Sequence, residues 1–287
     1  MFERLILGSA NFGMDYGISC GRRLSNEEVF QILDRAWQEG IRWIDTAQAY
    51  GGSEEVIGNY MRQKGRIFNI ITKLPHGNYG NYKDIKEKVL ESKKKLQVEK
   101  IKVLLLHSFK TFDDKRELMS ESLERLKEEG LIEEYGVSVY HVEEVFGFFH
   151  AIKKPFVVEF PANVFDRRFI RRLKELKELK LKLLARSVFL QGLFFLPEER
   201  LTGFFAPIRD KVLSLKKKAE LLNLPLSCLC LIFVWQYSDI EGIILGVDNL
   251  RQLEENLECI RSNISFSEVL EGFEVEDENI ILPYNWR

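Results

Sequence analysis

The chain of 287 residues has few cysteines, a nearly balanced charge and no long apolar run. Its four cysteines, Cys20, Cys228, Cys230 and Cys259, are scattered without CxxC spacing, which predicts reduced thiols and no metal centre. The net charge is −2, and no basic run is interleaved with aromatic residues, so we expect no nucleic-acid partner. No apolar run reaches roughly 18 residues, and the amino terminus lacks the layout of a signal peptide. We therefore expect a cytoplasmic protein with no membrane partner, while the oligomeric state stays open.

The chain also lacks a linker rich in Pro, Gly or Ser, and we expect residues 1–287 to form one domain. Strand-like runs lie near residues 4–8, 41–45, 69–74, 102–107, 135–139, 156–160, 182–187 and 242–246. Helical periodicities separate these runs, so the pattern is a βα unit repeated eight times. Units that bury both faces of each strand predict an α/β fold, a single (β/α)8 TIM barrel.

Several helices have clear sequence signatures. Ser25 and Glu28 form a capping box before an apolar stripe that ends at Gly40. A later helix is predicted to align Val142, Val145, Phe146 and Phe149, and the last helix to begin at an Asn249 cap with Leu250, Leu253, Leu257 and Ile260 facing inward.

Four polar residues follow strand-like runs in the first part of the chain. IRWIDTAQAYG carries Asp45 and Tyr50, NIITKLP carries Lys73, and VLLLHS carries His107. Because the strands of a parallel barrel end at one rim, we expect these side chains to lie together there. A phenol has a pKa near 10, and a nearby ammonium group lowers that value by stabilising the phenolate. A carboxylate that holds the lysine and an imidazole that orients a carbonyl oxygen complete a set suited to carbonyl reduction.

Taken singly, three of these residues also have an ordinary structural explanation. Asp45 can cap a helix, Lys73 can end an exposed strand, and His107 can be a hydrogen-bonded core histidine. Together, those explanations require unrelated accidents at successive strands, so we interpret the four residues as catalytic.

Five segments resemble motifs of the aldo-keto reductase superfamily, in the family's order. LILGSANFG resembles LGxGTxxFG with Ser9 in place of Thr, and GIRWIDTAQAYGGSEEVIG is similar to GxxxxDTAxxYGxSExxxG. LESKKKLQVEKIKVLLLHS, EEGLIEEYGVSVY and GVDNLRQLEENL are similar to SLxxLxxxxxDLxxxH, GKIRxxGVSN and GxxxxxQLxEN. The resemblance covers nearly the whole chain and implies a barrel without the amino-terminal hairpin of many members, since the first strand begins almost at Met1.

The resemblance assigns roles to these residues. It implies Tyr50 as general acid/base, Lys73 and Asp45 as the pair that tunes it, and His107 as the residue that orients the carbonyl. It also implies NADP(H) as the default cofactor, NAD(H) as the alternative, and a small carbonyl compound or sugar as the substrate. The expected cofactor contacts are Gly8, Ser9, Ser138, Glu159, Arg186, Ser187, Phe189, Gln191, Gly192, Gly246, Asp248, Gln252, Glu255 and Asn256.

The chain departs from the family pattern where the nicotinamide is held. Ser138 is retained, but Val139 replaces Asn, Glu159 replaces Gln and Arg186 replaces a stacking Tyr. Strands six and seven are neighbours, so we expect Glu159 and Arg186 to pair, which relieves the cost of a buried carboxylate. Arg186 can also lie flat on the nicotinamide. An ionised Glu159 favours the oxidised, positively charged ring and hence alcohol oxidation.

The residues after strand eight bear on the choice between NADP(H) and NAD(H). Asp248 follows strand eight, where members that bind a 2′-phosphate often carry Lys, Ser or Arg, and Arg251 is the nearby cation. The candidate substrate contacts are Phe12, Tyr16, Phe109 and the long connection 188–206, whose phenylalanines either cover a ligand or pack on the barrel. The short carboxyl tail predicts an open cleft.

Three other functions fit parts of the pattern. The nearest is an NAD-dependent sugar dehydrogenase that works in the oxidative direction. Potassium-channel β-subunits show that this fold also serves as a cofactor-binding regulatory subunit. A barrel aldolase or phosphate-sugar isomerase would use Lys73 as a Schiff-base or phosphate-binding residue.

Overall fold

Eight parallel strands close into a barrel in the order β1 to β8. The computed structural model describes residues 2–19, 21–262 and 270–286, and Cys20 lies outside them. The strands are β1 (Leu5–Gly8), β2 (Trp43–Asp45), β3 (Asn69–Leu74), β4 (Ile101–Leu106), β5 (Ile132–Ser138), β6 (Val157–Pro161), β7 (Lys182–Arg186) and β8 (Gly242–Leu245). The predicted (β/α)8 barrel is confirmed, and β1 pairs in parallel with both β2 and β8.

Helices follow or lie between the strands. They are α1 (Ala10–Gly13), α2 (Asn26–Gln38), α3 (Ser53–Lys64), α4 (Tyr82–Leu96), α5 (Phe109–Asp113), α6 (Arg116–Glu128), α7 (Val142–Ile152), α8 (Leu173–Glu178), α9 (Arg209–Leu221), α10 (Leu226–Trp235), α11 (Leu250–Arg261) and α12 (Glu278–Ile281). Short 3-10 helices occupy Ile170–Arg172, Leu190–Phe195, Glu198–Arg200, Gly203–Ile208 and Pro283–Asn285. None of the described helices is by itself long and apolar enough to cross a membrane, although the pair 203–221 and 226–235, bent by 94°, meets the criterion of length and composition jointly.

The barrel has an inner and an outer apolar core, because both faces of its strands are covered. The inner cluster is Ile6, Ile71, Val103, Leu105, Val157, Leu184 and Ile244, with Trp43 packed against it. At the amino-terminal end, β1 follows residues 2–4 directly, and the Arg4 guanidinium donates to the carbonyl oxygens of Trp235, Tyr237 and Ile240. Arg4 therefore ties this end of the barrel to the segment that leads into β8.

The predicted caps of two helices are confirmed. Ser25 and Glu28 form a reciprocal capping box at α2, and the Asn249 side chain accepts from the Gln252 N–H at α11.

The predicted face of α7 is partly wrong. Val142 and Val145 are buried as expected, but the deepest aromatic is Phe148, while Phe146 and Phe149 are only partly buried. Phe148 packs on Phe112 of α5, with ring centres 4.5 Å apart. The spacing of apolar residues within α7 cannot reveal a partner on another helix.

The expectation of reduced thiols is wrong for two cysteines. Cys228 of α10 and Cys259 of α11 form a disulfide with their Cα atoms 5.5 Å apart, a normal spacing for such a bond. The two residues are separated by 31 positions, so only the packing of the two helices brings them together. Cys230 is a buried free thiol.

Candidate active site

The four residues interpreted as catalytic meet at the carboxyl ends of the first strands. Asp45 ends β2, Lys73 lies in β3, His107 directly follows β4, and Tyr50 lies in the turn between β2 and α3. Lys73 Nζ is 2.5 Å from Asp45 Oδ1 and 5.2 Å from the centre of the Tyr50 ring. The Tyr50 and His107 rings are 5.7 Å apart and meet edge to face. The structure thus gathers a phenol, an ammonium, a carboxylate and an imidazole in one cluster.

The turn that carries Tyr50 is fixed against the end of β1. Ser53 donates from its hydroxyl to both the carbonyl and the hydroxyl oxygen of Ser9, and Thr46 donates to Ser53. A Cβ atom at Gly13 would lie only 1.8 Å from the carbonyl oxygen of Tyr50, so the close approach requires glycine. Gly13 of the first motif therefore lets the end of α1 pack closely against the backbone of the turn that carries Tyr50.

A second buried carboxylate lies beside the cluster. Glu159 in β6 is 1% exposed. Its Oε2 lies 3.2 Å from Lys73 Nζ, and its Oε1 lies 3.3 Å from Arg186 Nε. Ser138 donates to Glu159 at 3.0 Å. The predicted pair of Glu159 and Arg186 is present, while the contact of Glu159 with Lys73 was not predicted because strand patterns do not reveal which side chains meet across a barrel.

Arg186 is held on several sides. Its guanidinium donates to the Val139 carbonyl oxygen at 3.0 Å and to the Ser187 hydroxyl at 3.2 Å. It also lies over the Tyr140 ring, 4.4 Å from the ring centre. Arg186, which replaces the family's stacking Tyr, therefore stacks on an aromatic ring of this chain. It also borders a groove along the rim of the barrel.

Asp45 and Glu159 both contact the buried ammonium of Lys73. Their pKa values depend on burial and on the charges around them. Burial and the neighbouring Glu159 raise the pKa of Asp45, against the opposing effect of Lys73. Burial also acts to raise the pKa of Glu159, but Lys73 and Arg186 together hold it below the usual value. Burial acts to lower the pKa of Lys73, while Asp45 and Glu159 bring it above the usual value. Lys73 thus stays protonated, and Glu159 is the carboxylate with the stronger cationic support.

The phenol and the imidazole respond to the same surroundings in opposite ways. Burial raises the pKa of Tyr50, and Lys73 opposes that rise. Burial, reinforced by Lys73, lowers the pKa of His107 to about 4. At neutral pH the cluster therefore presents a protonated phenol and a neutral imidazole, both able to donate a hydrogen bond to an oxygen between them.

A groove of about 360 Å³ leads away from Asp45 and Tyr50 along the rim of the barrel. It is bordered by most of the predicted cofactor contacts, namely Gly8, Ser9, Arg186, Ser187, Phe189, Gln191, Gly192, Gly246, Asp248, Gln252, Glu255 and Asn256. Ser138 and Glu159 are buried beside the groove and do not border it. Its size falls within the usual range of small-molecule sites.

Other residues on the groove were missed. They are Ala10, Asn11, Gly17, Ser19, Ser227, Ile244 and Val247, whereas Val188 and Phe195 belong to the 188–206 connection that was expected at the substrate. Asn11 matters most, because its amide donates to the Val247 carbonyl oxygen and to Asp248 Oδ1. Its position inside the first motif was the available signal, whereas Ser227 reaches the groove only because α10 packs beside α11.

The segment after β7 borders the groove and contains several residues with positive φ angles. Ser187, Leu190 and Gln191 have positive φ angles of 61°, 45° and 50°, and Gly192 follows with 91°. The Ile18 N–H donates to the Gln191 carbonyl oxygen at 2.9 Å, which ties the loop after α1 to this segment. Successive N–H groups in such conformations can form a concave surface that binds an anion.

The aromatic candidates for substrate contact divide between core and groove. Phe12 is 0% exposed, so the prediction that it contacts substrate is wrong; the short helix α1 turns it into the core. Tyr16 borders the groove as predicted. Phe109 packs on Phe112 with ring centres 5.9 Å apart.

The phenylalanines of the long connection take both of the roles considered for them. Phe194 is buried in the core, Phe195 borders the groove, and Phe205 packs on Trp286. Phe204 is exposed. The carboxyl tail also reaches this side of the barrel, where Tyr284 packs on Tyr140.

Comparisons with known proteins agree with this arrangement. The uncharacterized oxidoreductase YqkF of Bacillus subtilis (strain 168) is 26% identical over 279 residues, which cover 88% of this chain and 89% of that protein. Methylglyoxal reductase DkgA of Escherichia coli (strain K12) is 34% identical over 125 residues, covering 42% of this chain and 44% of that protein. The holo form of aldo-keto reductase AKR11C1 from Bacillus halodurans has the same fold, with a TM-score of 0.79 and 20% identity over 96% of this chain and 94% of that one.

The model of the aldo/keto reductase family matches residues 4–271. This span includes every strand of the barrel and all four residues of the rim cluster, so the match does not depend on any single motif. The chain is therefore a member of the aldo/keto reductase family and an oxidoreductase.

Proposed function

We propose that the protein catalyses the reversible, nicotinamide-dependent reduction of an aldehyde, ketone or sugar carbonyl to an alcohol, with Tyr50 as the general acid. The observation that carries the proposal is the convergence of Asp45, Tyr50, Lys73 and His107 in one cluster, whose Asp45 and Tyr50 border the groove. The partial match to a methylglyoxal reductase supports a small carbonyl substrate.

The groove suits a dinucleotide in shape and chemistry. A Cβ built on Gly246 meets nothing within 4 Å, so the chain leaves open space beside this backbone. Asn256 borders the groove, and within the described residues its buried side-chain oxygen lacks a hydrogen-bond partner. Gln252 and Asn256 would hold the adenine end and the 187–192 segment the diphosphate. Arg186 would contact the nicotinamide, and Glu159, with Ser138 bound to it, would support Arg186 from the buried side. When bound, the cofactor supplies or accepts hydride.

Tyr50 holds the proton that the product alcohol needs. Burial raises the pKa of Tyr50, so the phenol is fully protonated at neutral pH, as a proton donor must be. Lys73, 5.2 Å from the ring centre, stabilises the phenolate that remains after transfer. Asp45 and the Thr46 carbonyl oxygen fix the ammonium in that position.

His107 orients the carbonyl oxygen as a neutral group. Its pKa is lowered to about 4, chiefly by burial, so one ring nitrogen donates a hydrogen bond at neutral pH without carrying charge. A neutral donor does not compete with Tyr50 for the role of acid.

The oxidative direction is the second candidate, and Glu159 favours it. This carboxylate is buried beside Lys73 and Arg186, and its negative charge would stabilise an oxidised nicotinamide more than a reduced one. A sugar dehydrogenase uses the same residues in reverse, with Tyr50 as the base.

A Schiff-base mechanism has less support. Lys73 is 0% exposed, and its ammonium is bound by two carboxylates, which keep it protonated and hence non-nucleophilic. Borohydride trapping with substrate would produce a covalent adduct if that mechanism operated.

The direct test is Tyr50→Phe, assayed for carbonyl reduction and for cofactor binding. We expect turnover to fall by roughly 10²–10⁴-fold, the usual contribution of a general acid, with cofactor affinity nearly unchanged. Tyr237→Phe is a matched control. Tyr237 lies between α10 and β8 at the amino-terminal end of the barrel, where Arg4 binds its carbonyl oxygen, and so at the end opposite Tyr50. A Tyr50→Phe variant with the parental rate would remove Tyr50 from the mechanism.

A further inference from the structure

We propose that the adenosine end of the groove selects NAD(H) over NADP(H) through Asp248. The adenosine end is the part of the groove bordered by Ser227, Gly246, Val247, Asp248, Gln252, Glu255 and Asn256. The inference rests on the proposed function, which places a nicotinamide dinucleotide in this groove.

Asp248 is held at the groove by its neighbours. Its Oδ1 accepts from the Asn11 amide at 3.3 Å, and its backbone N–H donates to the Gln252 side chain at 2.7 Å. Among the described residues Oδ2 has no hydrogen-bond partner, and Asp248 itself borders the groove. A carboxylate fixed in this way accepts from ribose hydroxyls, the chemistry by which dinucleotide sites recognise an unphosphorylated ribose.

Glu255 forms an ion pair with the nearest cation, Arg251. Arg251 Nε donates to Glu255 Oε1 at 2.7 Å, one turn apart on α11. The Arg251 side chain is 87% exposed and does not border the groove, whereas Glu255 does. The ion pair therefore leaves a carboxylate at the groove and directs its arginine elsewhere.

The rest of the groove provides no charge to hold a 2′-phosphate. Arg186 is the one Lys or Arg among the described residues that border the groove, and it lies at the opposite end, paired with Glu159. A 2′-phosphate would thus meet the Asp248 carboxylate and no cation, while a ribose diol would meet an acceptor for its hydroxyl protons. Coulomb repulsion near a protein surface is large enough to decide the preference.

The test is fluorescence titration of the full chain with NADH and with NADPH, at low and at high salt. We expect NADH to bind at least about tenfold more tightly than NADPH at low salt, as repulsion of this kind predicts. Added salt should narrow the gap, because it screens exposed charges. Asp248→Asn should lower the dissociation constant of NADPH several-fold, because it removes the repulsion, and should raise that of NADH modestly, because the ribose loses a charged acceptor.

Glu258→Gln is the control, since Glu258 lies on α11 with a 71% exposed side chain and does not border the groove. It removes one negative charge near the same end of the groove, so an equal gain in NADPH affinity there would overturn the assignment to Asp248. Binding of NADPH as tight as that of NADH by the unaltered protein would overturn the inference and leave the proposed function intact. Binding of neither cofactor would contradict the proposed function itself.

Discussion

Replacing Glu159 by Gln is the most informative single change in the site. It removes one buried charge and keeps the shape and the hydrogen-bonding capacity of the side chain. Glu159 acts to raise the pKa of Tyr50, so its loss should lower that pKa. The same loss removes a negative charge that favours the oxidised cofactor, so the Glu159→Gln variant has two separate readouts.

The size of the pKa change follows from the geometry. Glu159 Oε2 is 3.2 Å from Lys73 Nζ, which is 5.2 Å from the Tyr50 ring centre, so the carboxylate lies within about 8.4 Å of that ring centre. A unit charge at about 8 Å contributes roughly 2 kcal/mol at an effective dielectric constant of about 20, and roughly 0.5 kcal/mol in bulk water. Since one pKa unit equals about 1.4 kcal/mol, we expect the pKa of Tyr50 to fall by roughly one unit.

The assay is alcohol oxidation as a function of pH, together with the affinities for oxidised and reduced cofactor. Oxidation needs the phenolate of Tyr50 as base, so its rise with pH should shift to lower pH by about one unit in Glu159→Gln. Binding of oxidised cofactor should weaken relative to reduced cofactor. Glu134→Gln is the control, because Glu134 pairs with Lys182 at the opposite end of the barrel strands. Coincident pH profiles and equal affinity ratios for Glu159→Gln and the unaltered protein would refute the reasoning.

Two further predictions concern the imidazole of His107 and the packing at Gly136. Because the pKa of His107 is lowered to about 4 by burial, an NMR titration should show its imidazole neutral throughout pH 5–7; a transition near the ordinary value of about 6.5 would contradict the assigned environment. The folded state then binds fewer protons than the unfolded state, so this group costs stability as pH falls through about 6.5 towards 4. Gly136→Ala would place a Cβ atom 1.8 Å from the Val157 carbonyl oxygen, and urea unfolding should show a loss of at least about 1–3 kcal/mol, the usual cost of overpacking. Gly52→Ala, whose Cβ meets only Arg23 at 3.7 Å, should cost far less, and equal losses would contradict the steric argument.

The barrel and the rim cluster could be predicted because they depend on local patterns. Asp45, Lys73 and His107 each lie at or near the carboxyl end of an apolar strand, and the strands of a parallel barrel must end at one rim. The pair of Glu159 and Arg186 could be predicted for the same reason, since β6 and β7 are neighbours along the chain and in the barrel. Motif spacing likewise located most of the groove.

The errors concern contacts between distant segments. Phe12 was expected at the substrate, but α1 turns it into the core. The disulfide between Cys228 and Cys259 joins two helices whose packing leaves no mark on cysteine spacing. The contact of Glu159 with Lys73 crosses the barrel interior between β6 and β3. Periodicity within one element cannot supply any of these relations, because each depends on how elements pack.

The central claim is that hydride passes between a nicotinamide held in the groove and a carbonyl carbon beside Tyr50. The most direct measurement is mass spectrometry of the alcohol formed from a panel of aldehydes, ketones and sugars with reduced cofactor that carries deuterium at both positions of the reactive carbon. The account predicts one deuterium at the former carbonyl carbon, in an amount equal to the cofactor oxidised. Alcohol without the label, or no alcohol from any carbonyl of the panel despite tight cofactor binding, would contradict it.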